Sequence, residues 1–149
     1  MVGFTNLAET DNLDHFLTNT TFPNVGDAAG LLASAAPGVF TLALNAGDAI
    51  TDASTLLSDN EVAYTGYARP TVVRGVGAWT VTGDTGTNDN LIQFGEMTAG
   101  GPDTATDVSM GFATGSVMQM WGQVTAPDLV INDGVNPQLI AGALDITSD

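Results

Sequence analysis

Hydrophobic side chains alternate with polar or small ones along most of this chain, and this two-residue period constrains the fold more than any other feature. The pattern is clearest in residues 39–44, 108–112 and 118–124. Because successive side chains of a strand point to opposite faces, the alternation predicts half-buried β-strands. The residues expected on the buried faces are Val108, Met110, Phe112, Met118, Met120, Val124, Leu144 and Ile146.

Further short strands are predicted between turn-forming clusters. They lie at residues 61–73, 76–82, 91–95, 129–131 and 138–147. The clusters between them are rich in Gly, Asn and Asp, which are typical turn residues. Together these segments predict an all-β fold, a compact antiparallel β-sandwich or jelly-roll-like barrel of about eight strands.

One helix is predicted, over residues 4–17 at the N-terminus. Phe4 and Leu7 share one face, Leu13 and Leu17 extend it with a shift, and Thr5 is a suitable N-cap. A length of 149 residues suits a single domain spanning 1–149. We divide it into a helical segment at 1–20 and a β-sandwich at 38–149.

The charge balance limits the classes of partner. Seventeen acidic residues against two arginines give a net charge of −15, and lysine is absent. Binding to nucleic acids and to anionic membranes relies on lysine and arginine, so we expect neither. The absence of cysteine excludes disulfides and thiolate chemistry. The first residues lack the pattern of a signal peptide, which predicts synthesis in a cytoplasm without that type of export signal.

The most suggestive catalytic motif is the triplet Asp84-Thr85-Gly86, which also occurs in aspartic proteases, where two such carboxylates share a proton. There it follows an apolar strand directly, whereas here residues 82–83 are Thr-Gly and a polar run follows. Turn chemistry therefore favours a hairpin loop. His15, the single histidine, has no activated nucleophile beside it in the sequence. We expect no catalytic residues and no enzymatic activity.

Oxygen-bearing side chains cluster at residues 84–90 and 103–107. Carboxylate and amide oxygens are the ligands that Ca²⁺ prefers, but neither cluster follows the spacing of an EF-hand loop. Solvated turns are the favoured interpretation, and a weak surface calcium site stays open as the alternative. We assign no metal ligands and expect no cofactor.

Several side chains are candidates for contact with another protein subunit. The two arginines are the only permanent cations, and each is expected to pair with a carboxylate within the chain or across a contact. Trp121 lies opposite the predicted methionine face of its strand, which places it on the surface as an anchor. The apolar stripe of the helix can pack on its own core or on a neighbour. The candidates are Phe4, Leu7, Tyr67, Arg69, Arg74 and Trp121.

Five segments in order resemble a group of small tailed-bacteriophage virion proteins, described as tail fibre-like or capsid-associated. They are Leu-Asp-His-Phe-Leu at 13–17, the strand at 40–45, Asn-Glu-Val-Ala-Tyr-Thr-Gly-Tyr-Ala-Arg at 60–69, Met-Trp-Gly-Gln-Val at 120–124 and Ile-Ala-Gly-Ala-Leu at 140–144. The likeness covers most of residues 5–147 and departs at 108–115, where a His-Phe-Gly-Ile type of strand is replaced by Val-Ser-Met-Gly-Phe. The resemblance implies a virion component with a compact β fold and no catalytic residues.

The expected function is therefore that of a virion structural protein. We expect a capsid decoration (cement) protein on the outer capsid surface, made in the host cytoplasm. Its expected partners are the major capsid protein and further copies of itself, as a trimer or another cyclic oligomer. The alternative is a tail- or fibre-associated module that binds a receptor or carbohydrate.

Overall fold

The computed structural model describes residues 4–23, 25–112, 116–124 and 127–148 of the chain. β-Strands dominate this part of the chain, so the predicted all-β fold is confirmed. The strands are β1 (Val39–Asn45), β2 (Thr71–Val73), β3 (Trp79–Thr82), β4 (Thr85–Asn88), β5 (Ile92–Gln93), β6 (Asp103–Ala105), β7 (Asp107–Phe112), β8 (Met120–Gln123), β9 (Leu129–Ile131), β10 (Gln138–Leu139) and β11 (Asp145–Thr147).

These strands form four antiparallel sheets within the described residues. The largest has the order β2-β1-β7-β8, and a second has the order β11-β4-β3. Two further sheets are the pairs β6-β9 and β5-β10. The sheets do not close into a barrel, so of the two predicted arrangements only the sandwich is compatible with them.

Strands β1 and β7 form the centre of the largest sheet. They pair in register, with Leu42 opposite Met110 and Leu44 opposite Val108. The prediction that β7 is half-buried is wrong, because Asp107 and Ser109 on its polar face are also fully buried. That face is covered by a cluster in which Ala43, Ile50, Leu57 and Met118 pack together.

The predicted core is confirmed at Val108, Met110 and Met118, which are buried. Phe112 is 38% exposed, so its assignment to the core is wrong. It lies at the end of β7, where its ring packs on that of Phe40 with the centroids 5.2 Å apart. The remaining predicted core residues are only partly buried: Met120, Val124, Leu144 and Ile146.

The N-terminal helix is present and consists of two parts. An α-helix, α1 (Asn6–Leu13), is capped by Thr5, whose side chain accepts a hydrogen bond from the Ala8 N–H at 3.4 Å. A π-helical turn (Asp14–Thr18) follows directly. Because a π turn holds more residues per turn than an α-helix, it rotates the residues that follow it. Leu13, at the end of α1, and Leu17, within the π-helical turn, are both buried.

Two of the longer predicted strands are interrupted. Of residues 61–73 only β2 is a strand, because the preceding backbone bonds irregularly, as where the Val62 N–H donates to the Leu44 carbonyl at 3.0 Å. Residues 138–147 divide into β10 and β11 around Gly142, which has a φ of 77°. The interpretation of residues 84–90 and 103–107 as solvated turns is wrong in part, because β4 and β6 lie there. These two strands and the division of residues 138–147 give the structure more strands than the sequence predicts.

The chain forms two compact units that each combine distant segments. Unit 1 comprises Met1–Gly38, Val73–Leu91 and Leu139–Asp149, and it contains the helix with β3, β4 and β11. Unit 2 comprises Val39–Val72 and Ile92–Gln138, and it contains β1, β6, β7, β8 and β9. The single domain expected over residues 1–149 stays a prediction.

Candidate functional site

Strand β8 lies at the edge of the largest sheet and carries Trp121. Trp121 stands opposite Ser109 of β7 and is 38% exposed, as the sequence predicts for a residue outside the methionine face. Its neighbours Gly122 and Gln123 are exposed as well. The edge of β8 therefore presents a large aromatic side chain that is not enclosed by the core.

Tyr67 and Arg69 lie together in unit 2, joined through Glu61. The Arg69 guanidinium donates to both carboxylate oxygens of Glu61, each at 2.6 Å, which is the bidentate geometry of a strong ion pair. This bond holds the pKa of Arg69 above its usual value. The Tyr67 hydroxyl accepts from the Leu44 N–H at 3.0 Å, and burial raises the pKa of Tyr67 well above its usual value. Both side chains are thus already engaged within the chain.

Arg74 is 8% exposed and lies inside unit 1. Its guanidinium donates to the carbonyl oxygens of His15 and Phe16, the latter at 2.6 Å, and to Oδ1 of Asn19 at 2.9 Å. Burial lowers the pKa of Arg74. These contacts place a cation at the C-terminal end of the helical segment, where it also suits the helix dipole. They leave little of Arg74 for a contact with another subunit.

Phe4 and Leu7 lie at the start of the helical segment and are 69% and 68% exposed. The buried apolar residues of that segment are instead Leu13 and Leu17. The first turns of the helix thus leave their apolar stripe uncovered by the described part of unit 1. Both residues are available for a contact with a neighbouring subunit.

The Asp84-Thr85-Gly86 triplet lies at a hairpin, as predicted, but the turn is shorter than the sequence indicates, because Thr85 and Gly86 belong to β4. Residues 83–84 connect β3 to β4, with Thr82 paired to Thr85, and Gly83 has the positive φ that a two-residue hairpin turn requires. Gly86 packs closely on Leu17, and a Cβ at this position would force the end of the Leu17 side chain to shift. The triplet therefore forms the end of a hairpin turn and the start of β4.

The first oxygen-rich cluster is used mainly for backbone hydrogen bonds. Asn88 is buried; its Nδ2 donates to the carbonyl oxygens of Asn90 and Ile140, and its Oδ1 accepts from the Leu144 N–H at 2.9 Å. In the second cluster, Asp103 accepts from the Ala63 N–H at 3.2 Å. Among the described residues no three His, Cys, Asp or Glu side chains are grouped to hold a metal ion.

Sequence reasoning missed a buried polar network beneath the sheet in unit 2. Asn45 donates to the carbonyl oxygens of Leu57 and Asp59 and accepts from the Ser109 hydroxyl at 2.7 Å. Beside it, Oδ2 of Asp107 accepts from the Thr106 hydroxyl at 2.8 Å, whereas Oδ1 is buried without a partner among the described residues. Alternation assigned Asp107 and Ser109 to solvent, so the sequence contains no local signal for this network.

The structure brings together only some of the six predicted contact residues. Unit 2 contains Tyr67, Arg69 and Trp121, of which the first two form one cluster with Glu61. Unit 1 contains Phe4, Leu7 and Arg74. Exposure singles out Trp121, Phe4 and Leu7 as the residues with side chains free for a partner.

No protein-family model matches the sequence, and no match was found among curated proteins either. In the described ranges no helix has both the length and the apolar character needed to cross a membrane.

Proposed function

We propose that this chain is a non-enzymatic structural protein of a bacteriophage particle, a decoration protein that binds the major capsid protein on the outer surface of the shell and stabilises it. The observation that carries the proposal is Trp121, an exposed aromatic side chain on a sheet edge of a strongly acidic protein. Exposed tryptophan is a typical anchor of protein–protein contacts. The resemblance of residues 13–17, 60–69, 120–124 and 140–144 to virion proteins supports the choice of a phage particle.

The use of the potentially catalytic groups supports a structural role. Asp84 lies in a hairpin turn, and its carboxylate accepts from the neighbouring Thr85 hydroxyl at 3.0 Å. Nδ1 of His15 lies 2.7 Å from the Thr20 carbonyl oxygen, within hydrogen-bonding distance. Both contacts join groups at most five residues apart in the chain, as is typical of local turn and helix-end hydrogen bonds.

The charge distribution supports a position on the outside of the shell. The net charge is −15, and both arginines are engaged within the chain, Arg69 by Glu61 and Arg74 by backbone carbonyls. Such a protein repels the phosphate backbone of packaged DNA. We infer synthesis in the host cytoplasm and addition to the outer face of the shell.

The exposed apolar residues of the helix support a cyclic homo-oligomer, with a trimer as the proposed state. Phe4 and Leu7 are exposed at the N-terminal helix, and apolar side chains there suit a contact between copies. Closed cyclic symmetry is how most homo-oligomers satisfy such surfaces.

A tail- or fibre-associated module that binds carbohydrate is the second candidate, and Trp121 is the observation that favours it. An exposed indole offers an apolar face with a polar edge, which suits stacking on a sugar ring. Tyr67 is a weaker candidate for that role, because its hydroxyl is held by the Leu44 N–H.

Reconstitution on phage heads tests the proposal. Heads from a phage that encodes this chain, with its gene deleted, are mixed with purified protein and sedimented. We expect the wild type to bind the heads and to raise the temperature at which they release DNA. Trp121→Ala is expected to bind about tenfold more weakly. Val130→Ala, which shortens another exposed apolar side chain in unit 2, is the matched control and should bind normally.

The outcomes separate the two candidates. Binding to purified tails but not to heads would replace decoration with the tail assignment. Binding to neither, or equal binding by Trp121→Ala and the wild type, would contradict the proposed contact.

A further inference from the structure

Among the described residues, the backbone of β8 is paired on one side only, whereas the chain just before it, at residues 116–118, is hydrogen-bonded to residues 55–57. The Val124 N–H donates to the Thr106 carbonyl oxygen at 2.7 Å, and Val108 stands opposite Gly122. In an antiparallel pair, the N–H and C=O groups of alternate residues point to the partner strand. Residues 120, 122 and 124 therefore face β7, whereas the N–H and C=O groups of Trp121 and Gln123 point away from it.

The pairing of β1 supports the same alternation of backbone N–H and C=O directions in the neighbouring strands of the sheet. The N–H groups of Leu42 and Leu44 donate away from β7, to the Pro70 carbonyl and the Tyr67 hydroxyl. The odd-numbered residues of β1 and β7 therefore pair with each other, which leaves the even-numbered residues of β7 for β8. No strand among the described residues follows β8 in the sheet order.

This edge strand is short, at four residues, but it lacks two other features that protect edges, charge and proline. Proteins commonly place lysine, other charges or proline there to prevent pairing with another chain. The sequence of β8 is Met-Trp-Gly-Gln, which contains neither a charged residue nor proline. Two residues with outward-pointing N–H and C=O groups and one exposed indole are thus available to an added strand.

The negative charge of unit 2 indicates which kind of added strand is attracted to the edge of β8. Unit 2 contains nine acidic residues and one arginine, and that arginine is held by Glu61. A second copy of the chain would bring the same excess of negative charge to this edge, whereas a segment with lysine or arginine is attracted.

We propose that the free edge of β8 binds an extended segment of another protein that carries lysine or arginine, by adding it as a further strand of the sheet. Strand addition takes its affinity from backbone hydrogen bonds and its specificity from alternate side chains. A lysine or arginine opposite Trp121 lies on the same face as the indole, where a cation–π contact forms. The proposal rests on the proposed function for the identity of the partner, which would be a capsid subunit.

Binding of designed peptides tests this edge without particles. The probe is an eight-residue peptide that alternates lysine with valine, and its matched control alternates glutamate with valine. We expect the lysine peptide to bind and to slow amide exchange at Trp121 and Gln123, and the glutamate peptide not to bind.

Substitutions at one position then separate backbone from side-chain contacts. Gln123→Pro removes an outward-pointing N–H and is expected to weaken binding about tenfold or more. Gln123→Ala keeps that N–H and should bind like the wild type. If Gln123→Pro fails to fold, two other measurements test the proposal. They are the slowing of amide exchange at Trp121 and Gln123 of the wild type when the lysine peptide binds, and the loss of affinity for that peptide in Trp121→Ala.

Three results would overturn the proposal. They are equal binding of the two peptides, unchanged exchange at Trp121 and Gln123, and a dimer of this chain that protects those amides in the absence of peptide. Peptide binding by a protein that is absent from virions would leave the proposal standing and refute the virion function. Binding to phage heads without binding to the lysine peptide would refute strand addition at β8 and leave the virion function standing.

Discussion

Asn45 is the residue on which the buried polar network of unit 2 depends most. It is fully buried, and all three of its side-chain hydrogen bonds are made, to Leu57, Asp59 and Ser109. A buried polar group that loses its partner costs about 1–3 kcal/mol. Unlike the alternating apolar positions, this network depends on a segment that returns over the sheet, which local sequence patterns do not reveal.

We therefore predict that Asn45→Ala lowers the free energy of unfolding by about 2–4 kcal/mol, because it leaves two carbonyls and one hydroxyl without partners. Denaturant unfolding is the measurement. Asn12→Ala, at an exposed position of α1, is the control and should change stability by less than about 0.5 kcal/mol. Equal effects of the two substitutions would contradict the role given to the network.

We predict that the free energy of unfolding falls at alkaline pH, in part because of Tyr67. Because burial raises the pKa of Tyr67 above the ordinary value of 10.0, the folded state holds the phenolic proton more tightly than the unfolded state. Its contribution to stability is complete below pH 10 and is lost as the pH rises above that value towards the folded-state pKa. Tyr67→Phe should flatten the fall in unfolding free energy above pH 10.

Part of that alkaline fall should remain in Tyr67→Phe. Burial also raises the pKa of Tyr64, so a second tyrosine contributes with the same sign. A fall above pH 10 that is identical in Tyr67→Phe and in the wild type would show that Tyr67 does not carry the effect.

At the scale of elements, the helical segment is held in unit 1 by Arg74. The guanidinium binds two carbonyl oxygens near the end of the π-helical turn and the side chain of Asn19, and Thr10 of α1 donates to the Gly83 carbonyl at 2.6 Å. The sequence could not predict this contact, because Arg74 and the turn are separated by more than fifty residues.

We predict that Arg74→Met increases amide exchange in residues 14–20 by about a hundredfold, which corresponds to about 2.7 kcal/mol of local stability. Exchange measured by mass spectrometry tests this. Arg69→Met is the matched control, since it removes the other arginine and should leave residues 14–20 unchanged. Unaltered exchange in Arg74→Met would mean that other contacts hold the segment.

The strands show how far the alternating pattern can be used. It located β1 and β7 well, because their apolar residues alternate with other side chains, and the short apolar segment at residues 129–131 coincides with β9. It misjudged β7 as half-buried, since the covering segment around Leu57 is distant in sequence. It placed Trp121 on the surface correctly, although Ser109, which stands opposite it on the same face of the sheet, is fully buried; Trp121 lies on the edge strand.

At the scale of the whole molecule, the net charge of −15 governs how copies of the chain meet. Like charge opposes self-association, and salt reduces this repulsion by shortening the screening length from about 30 Å at 0.01 M to about 3 Å at 1 M. Contacts between copies must then rely mainly on apolar side chains such as Phe4 and Leu7.

We predict that self-association of the purified chain strengthens as salt rises over that range, measured by sedimentation equilibrium. Phe4→Ser should weaken it about tenfold, by removing an apolar contact. Val25→Ser, at another exposed apolar position of unit 1, is the control. Self-association that weakens with salt would mean that ion pairs, rather than apolar residues, hold the copies together.

The copy number of this chain in purified virions tests its proposed role as a capsid decoration protein most directly. Quantitative mass spectrometry of the particles gives the ratio of this chain to the major capsid protein. The account predicts hundreds of copies per particle, in a fixed ratio to the capsid subunit. A handful of copies would assign the chain to the tail, and its absence from particles would contradict the structural role altogether.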